Sequence, residues 1–412
     1  ISRRVKEKDS GIPVVWGGVH TSIRPVEVLE NNYVDVVVIG EGEVALAELT
    51  DALVEGHSLS EVKGIGYKEG DRQFFTGSRP FLDLAQEPDP AYHLIDMANY
   101  HEDIMGVDHM HLFGSRGCIY DCAYCWDPVV NQRKHRVTAP GRIVEQMIRI
   151  IRDYGIRGFV FGDDNFFIDM EWAHEVLEGI VRAGLDVHLG KVFIRADTAS
   201  RMGKETLDLM VRAGVKRVVI GAESGDPRIL KLIKKRISVD EIIAANRTLR
   251  PYPIRPAFLF MMGLPTETPA EVEKTVRLAE QLMRENPSAT RSFNRYTPFP
   301  GTELFKMVVQ MGFREPARLE EWAKLNYRNL PADCSWISPE TRKLVSILDY
   351  ALMCDKHDNA LGEVKKADPL SVALAKIYGP LARYRIRSMD TRLPIEPILT
   401  KTIRKVIGRD RG

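Results

Sequence analysis

Three cysteines, Cys118, Cys122 and Cys125, stand within eight residues of one another in the stretch "GSRGCIYDCAYCWDP". Only two more, Cys334 and Cys354, occur in 412 residues, both far downstream. Spacings of three and then two residues let the three sulfurs converge on one small object from a single loop. Thiolates are soft ligands that favour zinc, cuprous copper or iron–sulfur clusters. A closed structural zinc site would take a fourth ligand, for which His135, His111 and His109 are at hand. An iron–sulfur cube held by three thiolates instead leaves one iron without a protein ligand, the open position that catalytic metal sites keep. An incidental grouping is the third possibility. The cysteines alone leave all three open.

Such a loop needs elements to hold it. Six strand patterns run from "HMHLFGSRG" through "GFVFGDD", "LGKVFIRAD", "RVVIGAES" and "AFLFMMGLP" to "SFNRYTP". Helical patterns follow the first five. Ile143, Met147 and Ile151 share one helical face, as do Trp172, Val176 and Ile180, and Val272, Val276 and Ala279. Ser238 with Glu241 and Thr268 with Glu271 have the spacing of capping boxes, the second with Pro269 at the first helical position. Asp226-Pro227 reads as a cap and first-turn proline. The repeated "VRAG" at 181–184 and 211–214 ends two helices one βα unit apart. This alternation predicts an α/β fold with a parallel sheet and outer helices, six units making an open, partial (β/α)6 barrel over residues 107–308. Ligands in such folds bind at the carboxyl ends of strands, and the cysteines directly follow the first.

Ahead of the barrel, residues 1–78 read as half of a doubly wound, Rossmann-like α/β domain. It has strands in "GIPVVWGGVH" and "YVDVVVIGEGE", and a hairpin in "VKGIGYKEGDRQFFTG". Residues 79–106 form a proline-punctuated linker, and 309–412 read as a helical C-terminal region with a good amphipathic candidate in "TRKLVSILDYALMCDKH". From Arg383 on, nine basic residues stand against three acidic ones. That pattern fits a solvated helical cap, or a peripheral contact with an anionic membrane or charged partner.

Bulk charge is balanced, 58 basic against 57 acidic residues, which gives no pull toward nucleic acid. No apolar run approaches the ~18 residues of a membrane span, and five cysteines are too few for a disulfide framework. The expected setting is the cytoplasm. Because the first residue is Ile1, the chain is expected to be a fragment that begins part-way through its first domain.

CxxxCxxC with an aromatic, Tyr124, before the last cysteine resembles the signature of the radical S-adenosylmethionine enzymes. The resemblance implies a 4Fe–4S cluster on Cys118, Cys122 and Cys125, whose open iron is chelated by the methionine moiety of S-adenosylmethionine. Reductive cleavage then yields a 5′-deoxyadenosyl radical. It also implies cofactor contacts at successive strand ends. Gly162, Asp163 and Asp164 in "FGDDNFF" stand where the family has a Gly-Gly-Glu motif, with Asp-Asp replacing Gly-Glu; a helix-capping role is the alternative for either aspartate. Arg195 would hold the methionine carboxylate or else pair with Asp197. Glu223 and Ser224 would reach the ribose or methionine moiety. Gly263 and Pro265 in "MMGLPTET" would border the adenine, and Tyr296 or Thr297 would approach the base.

"VVWGGVHTSIRPVEVL" and "VDVVVIGEGE" resemble the second half of the cobalamin-binding domain that precedes the radical domain in a large subfamily. Gly17, Gly18, Gly40 and Glu41 would then approach a macrocycle or its nucleotide tail. His20 is not read as a cobalt ligand, because it sits in a turn and the Asp-x-His-x-x-Gly pattern is absent from this sequence. The resemblance implies a cobalamin-dependent methyltransferase or oxidative cyclase, a small-molecule or lipid-like substrate, and an electron donor such as flavodoxin or ferredoxin. A cobalamin-independent radical enzyme and a non-enzymatic, zinc-stabilised binding protein are the alternatives.

Overall fold

The computed structural model describes residues 1–100, 102–326, 334–353, 369–392 and 394–396. Two sheets organise the chain. The front one contains β1 (Val15–Trp16), β2 (Val36–Val38), β3 (Ile65–Glu69) and β4 (Arg72–Phe75), in that spatial order. β1 and β2 run parallel, and β3 and β4 form the expected hairpin with Gly70 in its turn at φ +59°. One face of this sheet packs a small core of Val36, Val38, Ala45, Leu49 and Ile65, largely against the helix Glu43–Glu55. Val28, Leu29, Val34 and Val37 face the other way and join the main core.

The second sheet holds β5 (Glu102–Ile104), β6 (Val107–Leu112), β9 (Gly158–Phe161), β10 (His188–Ile194), β11 (Arg217–Glu223), β12 (Arg255–Met262) and β13 (Thr290–Arg295). Between β6 and β9 lies a separate two-stranded ribbon, β7 (Ser115–Arg116) with β8 (Arg136–Val137). From β6 to β13 all neighbours are parallel and in chain order, so six βα units form an open half-barrel. β5 pairs antiparallel with β6 and covers one edge. All six expected barrel strands are present.

The helices form because their apolar residues recur on one face and their ends are capped. Pro140–Tyr154 buries Ile143, Val144, Met147 and Ile150, while Met170–Arg182 buries Trp172, Val176 and Ile180. The capping boxes at Ser238–Glu241 and Thr268–Glu271 are both made. Asp226 caps Pro227–Leu232 by accepting from the Arg228 and Ile229 amides. Odd and even residues of each strand face opposite ways. Phe159, Phe161, Val192, Ile194, Val218 and Ile220 therefore enter the helix-side core, while Phe193 and Val219 pack together on the opposite face of the sheet.

After β13 come the helices Glu303–Gln310, Leu319–Trp322, Pro339–Met353 and Pro369–Ser388. The expected amphipathic helix is therefore seen as far as Met353; Cys354, its last residues and most of the basic tail lie outside the described residues. No described helix is long and apolar enough to cross a membrane.

Candidate functional site

The cysteines lie on residues 117–135, an excursion closed at its neck by the β7–β8 ribbon. Gly117 opens the loop at φ +85°, and a Cβ there would collide with the Lys134 carbonyl, so the neck admits only glycine. Inside, Asp127 accepts from the Cys118 amide at 2.8 Å and from Asn131 Nδ2 at 2.5 Å. The Ala123 amide bonds the Ile233 carbonyl and the Leu304 amide bonds the Ala123 carbonyl, both at 2.9 Å. The loop is thereby pinned to segments that follow β11 and β13.

All three thiols are free and partly buried. Burial pushes Cys118 up to about 11 and Cys125 up to about 12. Burial raises Cys122 too, against the pull of the Lys235 and Arg195 charges. Burial thus disfavours the thiolate form of all three, and a bound metal supplies the positive charge that favours it. That donor set fits an iron–sulfur cluster. Among the described residues no three His, Cys, Asp or Glu side chains converge closely enough to hold a single metal ion. Two of the histidines considered for a fourth ligand are engaged elsewhere, while His135 stays on the loop. His109 bonds the Val107 carbonyl and His188 Nδ1, each at 2.7 Å, and His111 bonds Glu102 at 3.2 Å. His135 is lowered by burial, and its Nε2 is buried without a partner.

Around this loop lie the carboxyl ends of three strands, β9, β10 and β11. After β9, Gly162 packs its Cα against the Phe113 ring, where a Cβ would clash. Asp163 is buried and already engaged, accepting from Ser115 Oγ at 2.5 Å and the Gly114 amide at 3.3 Å. Its burial pushes it up to about 6. Asp164 reaches solvent, yet its recessed position and the nearby Asp127 and Asp163 carboxyls push it up to about 7. Of the two aspartates, Asp164 is the one presented outward.

Arg195, after β10, is committed on three sides. It bonds Asp197 at 3.0 Å, donates to the Lys235 carbonyl at 2.8 Å, and stacks over the Tyr120 ring at 3.7 Å. Glu223 ends β11 in a left-handed conformation, φ +61°, beyond a register shift in the sheet. One of its oxygens accepts from Lys235 Nζ at 2.8 Å and from the Tyr124 hydroxyl at 2.9 Å. Lys235 is 7% exposed and is the site residue that sequence reasoning missed. Lys234 and Arg236 on either side of it are both left-handed, at φ +53°, while Arg236 pairs with Asp121 of the cysteine loop at 2.7 Å. The local turn thus drives the middle lysine inward.

Other expected residues sit differently. Ser224 is fully buried and bonds Thr275 Oγ1 and the Asp226 amide, which fixes the turn that leads to the Asp226 cap. Gly263, at φ +77°, donates to Glu267 at 2.7 Å and accepts from Trp336 Nε1 at 2.8 Å. Pro265 is buried beside it. Tyr296 is 1% exposed, stands edge-on to Trp336, and has a buried hydroxyl without a partner. The partners of Gly263 and Tyr296, namely Glu267 and Trp336, lie outside the cysteine loop.

In the front sheet, the parallel pairing of β1 and β2 sets their following turns side by side. Gly18, φ +95°, begins the helix Val19–Ile23 next to Gly17, and Ser22 Oγ of that helix accepts from the Gly40 amide at 2.9 Å. Both carboxylate oxygens of Glu41 are engaged by Arg116, Arg136 and the Leu82 amide. His20 lies against the Trp322 ring at 5.2 Å.

Comparison with known proteins places two matches on this chain. The radical SAM superfamily model matches residues 112–279, and the B12 binding domain model matches residues 1–50. An uncharacterized methyltransferase of Pyrococcus horikoshii is 29% identical over 79% of this chain and 71% of its own. The anaerobic magnesium-protoporphyrin IX monomethyl ester cyclase of Cereibacter sphaeroides is 27% identical over 76% of this chain. This chain spans only 50% of that relative's length. Among solved structures, the radical S-adenosylmethionine methyltransferase TsrM of Kitasatospora setae, with cobalamin and a [4Fe–4S] cluster bound, superposes with a TM-score of 0.60. The match covers 74% of this chain and 61% of that one at 22% identity, a likeness of fold.

Proposed function

We propose that this chain, which carries a radical SAM domain behind a B12-binding segment, is the core of a cobalamin-dependent radical enzyme that transfers a methyl group to a small molecule. The observation that carries this reading is the cysteine loop: three free, partly buried thiols on one short excursion, directly after the first barrel strand and beside the carboxyl ends of its neighbours. Cys118, Cys122 and Cys125 would hold a 4Fe–4S cluster. When bound, it supplies the single electron that cleaves S-adenosylmethionine to methionine and a 5′-deoxyadenosyl radical.

The chain's own residues bind and orient. Asp164 faces outward beside the loop and accepts from the ammonium group of the methionine moiety, a charge-assisted contact. Asp163 fixes the Ser115 and Gly114 positions under it. Lys235 and Arg195 set positive charge next to Cys122, and Glu223 with Tyr124 holds that lysine in place. Gly263, Pro265 and Tyr296 are packed around Trp336 and Glu267 and support the β12 and β13 ends from behind. Gly17, Gly18 and Gly40 offer bare backbone to a corrin or its tail, while Glu41 is occupied elsewhere. A one-electron donor protein is required as partner.

Similarity to a relative named as a cyclase supports a second reading, radical cyclisation without methyl transfer. Anaerobic reconstitution with cobalamin separates the two. Methyl transfer gives 5′-deoxyadenosine together with S-adenosylhomocysteine, because one S-adenosylmethionine donates its methyl group and another is cleaved. Cyclisation gives 5′-deoxyadenosine alone. Formation of neither product overturns both.

A further inference from the structure

Glu41 belongs to the front sheet's Gly-Glu-Gly-Glu turn, but its carboxylate reaches the neck of the cysteine loop. Arg116 and Arg136 are direct partners across the β7–β8 ribbon, two like charges face to face on the two strands that close the loop. Glu41 stands between them. Its Oε1 accepts from Arg116 and Arg136 at 2.9 Å each, and its Oε2 accepts from Arg136 at 2.9 Å and from the Leu82 amide at 2.8 Å. The carboxylate is 14% exposed and Arg136 is 18% exposed. The Arg136 guanidinium also lies over the Phe81 ring at 4.5 Å.

The contact continues inward. Arg136 donates to Asn131 Oδ1 at 3.4 Å, Asn131 donates to Asp127 Oδ1 at 2.5 Å, and Asp127 Oδ2 accepts from the Cys118 amide at 2.8 Å. One unbroken polar relay therefore runs from the front sheet to the backbone of the first cysteine. Glu43, by contrast, meets the second terminal nitrogen of Arg116 and is 42% exposed.

We propose that Glu41 is a positioning residue for the cysteine loop. It neutralises the opposed arginines, holds the ribbon closed and sets Cys118. The Gly40–Glu43 turn is then a mechanical link through which the state of the front sheet reaches the cysteines. A ligand that moves this turn releases or tightens the loop, so the two cofactor regions are coupled through one carboxylate.

The test is amide hydrogen exchange on the whole chain, first without metal, so that the clasp is judged whether or not the iron reading holds. Glu41→Gln is expected to speed exchange across residues 117–135 by about tenfold or more, the loss expected for a charge-assisted hydrogen bond, while β9–β12 amides keep their rates. Glu43→Gln should leave the loop close to wild type. Adding Arg116→Gln to Glu41→Gln relieves the repulsion and should restore most of the protection. After reconstitution, Glu41→Gln should bind less iron and give an altered electron paramagnetic resonance spectrum, and the double variant should recover both. Unchanged exchange at 117–135 in Glu41→Gln, equal loosening in Glu43→Gln, or no recovery in the double variant overturns the proposal. If Glu41→Gln does not fold, Arg136→Lys, which keeps charge but loses the fork, must loosen the same segment alone; uniform loosening counts against the clasp.

Discussion

Replacing Glu267 by glutamine should change how stability depends on pH. Glu267 is 1% exposed, accepts from the Gly263 and Leu264 amides, and has its other oxygen buried without a partner. Burial pushes its carboxyl up to about 8 from an ordinary 4.5. In the unfolded chain it ionises near its ordinary value. Between about 4.5 and 8 the folded chain therefore holds a proton that the unfolded chain has released, and stability falls as pH rises through that window. The gap of about 3.5 pH units, at about 1.4 kcal/mol each, comes to about 5 kcal/mol in all. Glutamine keeps a carbonyl for the two amides and has no proton to lose. Denaturant unfolding of both chains from pH 5 to pH 9 isolates the effect, since other groups titrate alike in each. The glutamine chain should lie within about 1 kcal/mol of wild type at pH 5 and gain steadily, to several kcal/mol at pH 8–9. Parallel curves for the two chains would refute the reasoning.

Two further outcomes follow from the site and its supports. Lys235→Met leaves Glu223 buried without its cation and should cost about 3–5 kcal/mol by chemical denaturation; adding Glu223→Gln should recover a large part, and a lone lysine variant as stable as wild type would show the pair is not buried in solution. Asp226→Ala removes the cap on two amides and the partner of Lys274, and should lower stability by about 1–2 kcal/mol, seen as a lower melting temperature with cysteine accessibility unchanged.

What could be read from the sequence follows from how local each signal is. The barrel strands are short apolar runs separated by helices whose caps lie three residues apart, as at Ser238–Glu241, so period and punctuation suffice. The cysteine spacing is equally local. Lys235 was hidden because a run of lysines and arginine reads as a solvated face; only the left-handed turns at Lys234 and Arg236 direct it inward. In sequence Glu41 stands in a glycine-rich turn that suggests a cofactor, and its arginine partners lie 75 and 95 residues away with no local signal to pair them. Arg195 and Ser224 follow β10 and β11 directly. Sequence could not show how much of their hydrogen-bonding capacity Asp197, the Lys235 carbonyl and Thr275 already take.

The most direct measurement is metal and product analysis of the anaerobically reconstituted chain beside its Cys122→Ala variant. The wild type should carry about four irons and four sulfides, show a cubane signal on reduction, and form 5′-deoxyadenosine from S-adenosylmethionine. The folded variant should form none. Stoichiometric zinc in place of iron, or undiminished 5′-deoxyadenosine from the variant, would contradict the account.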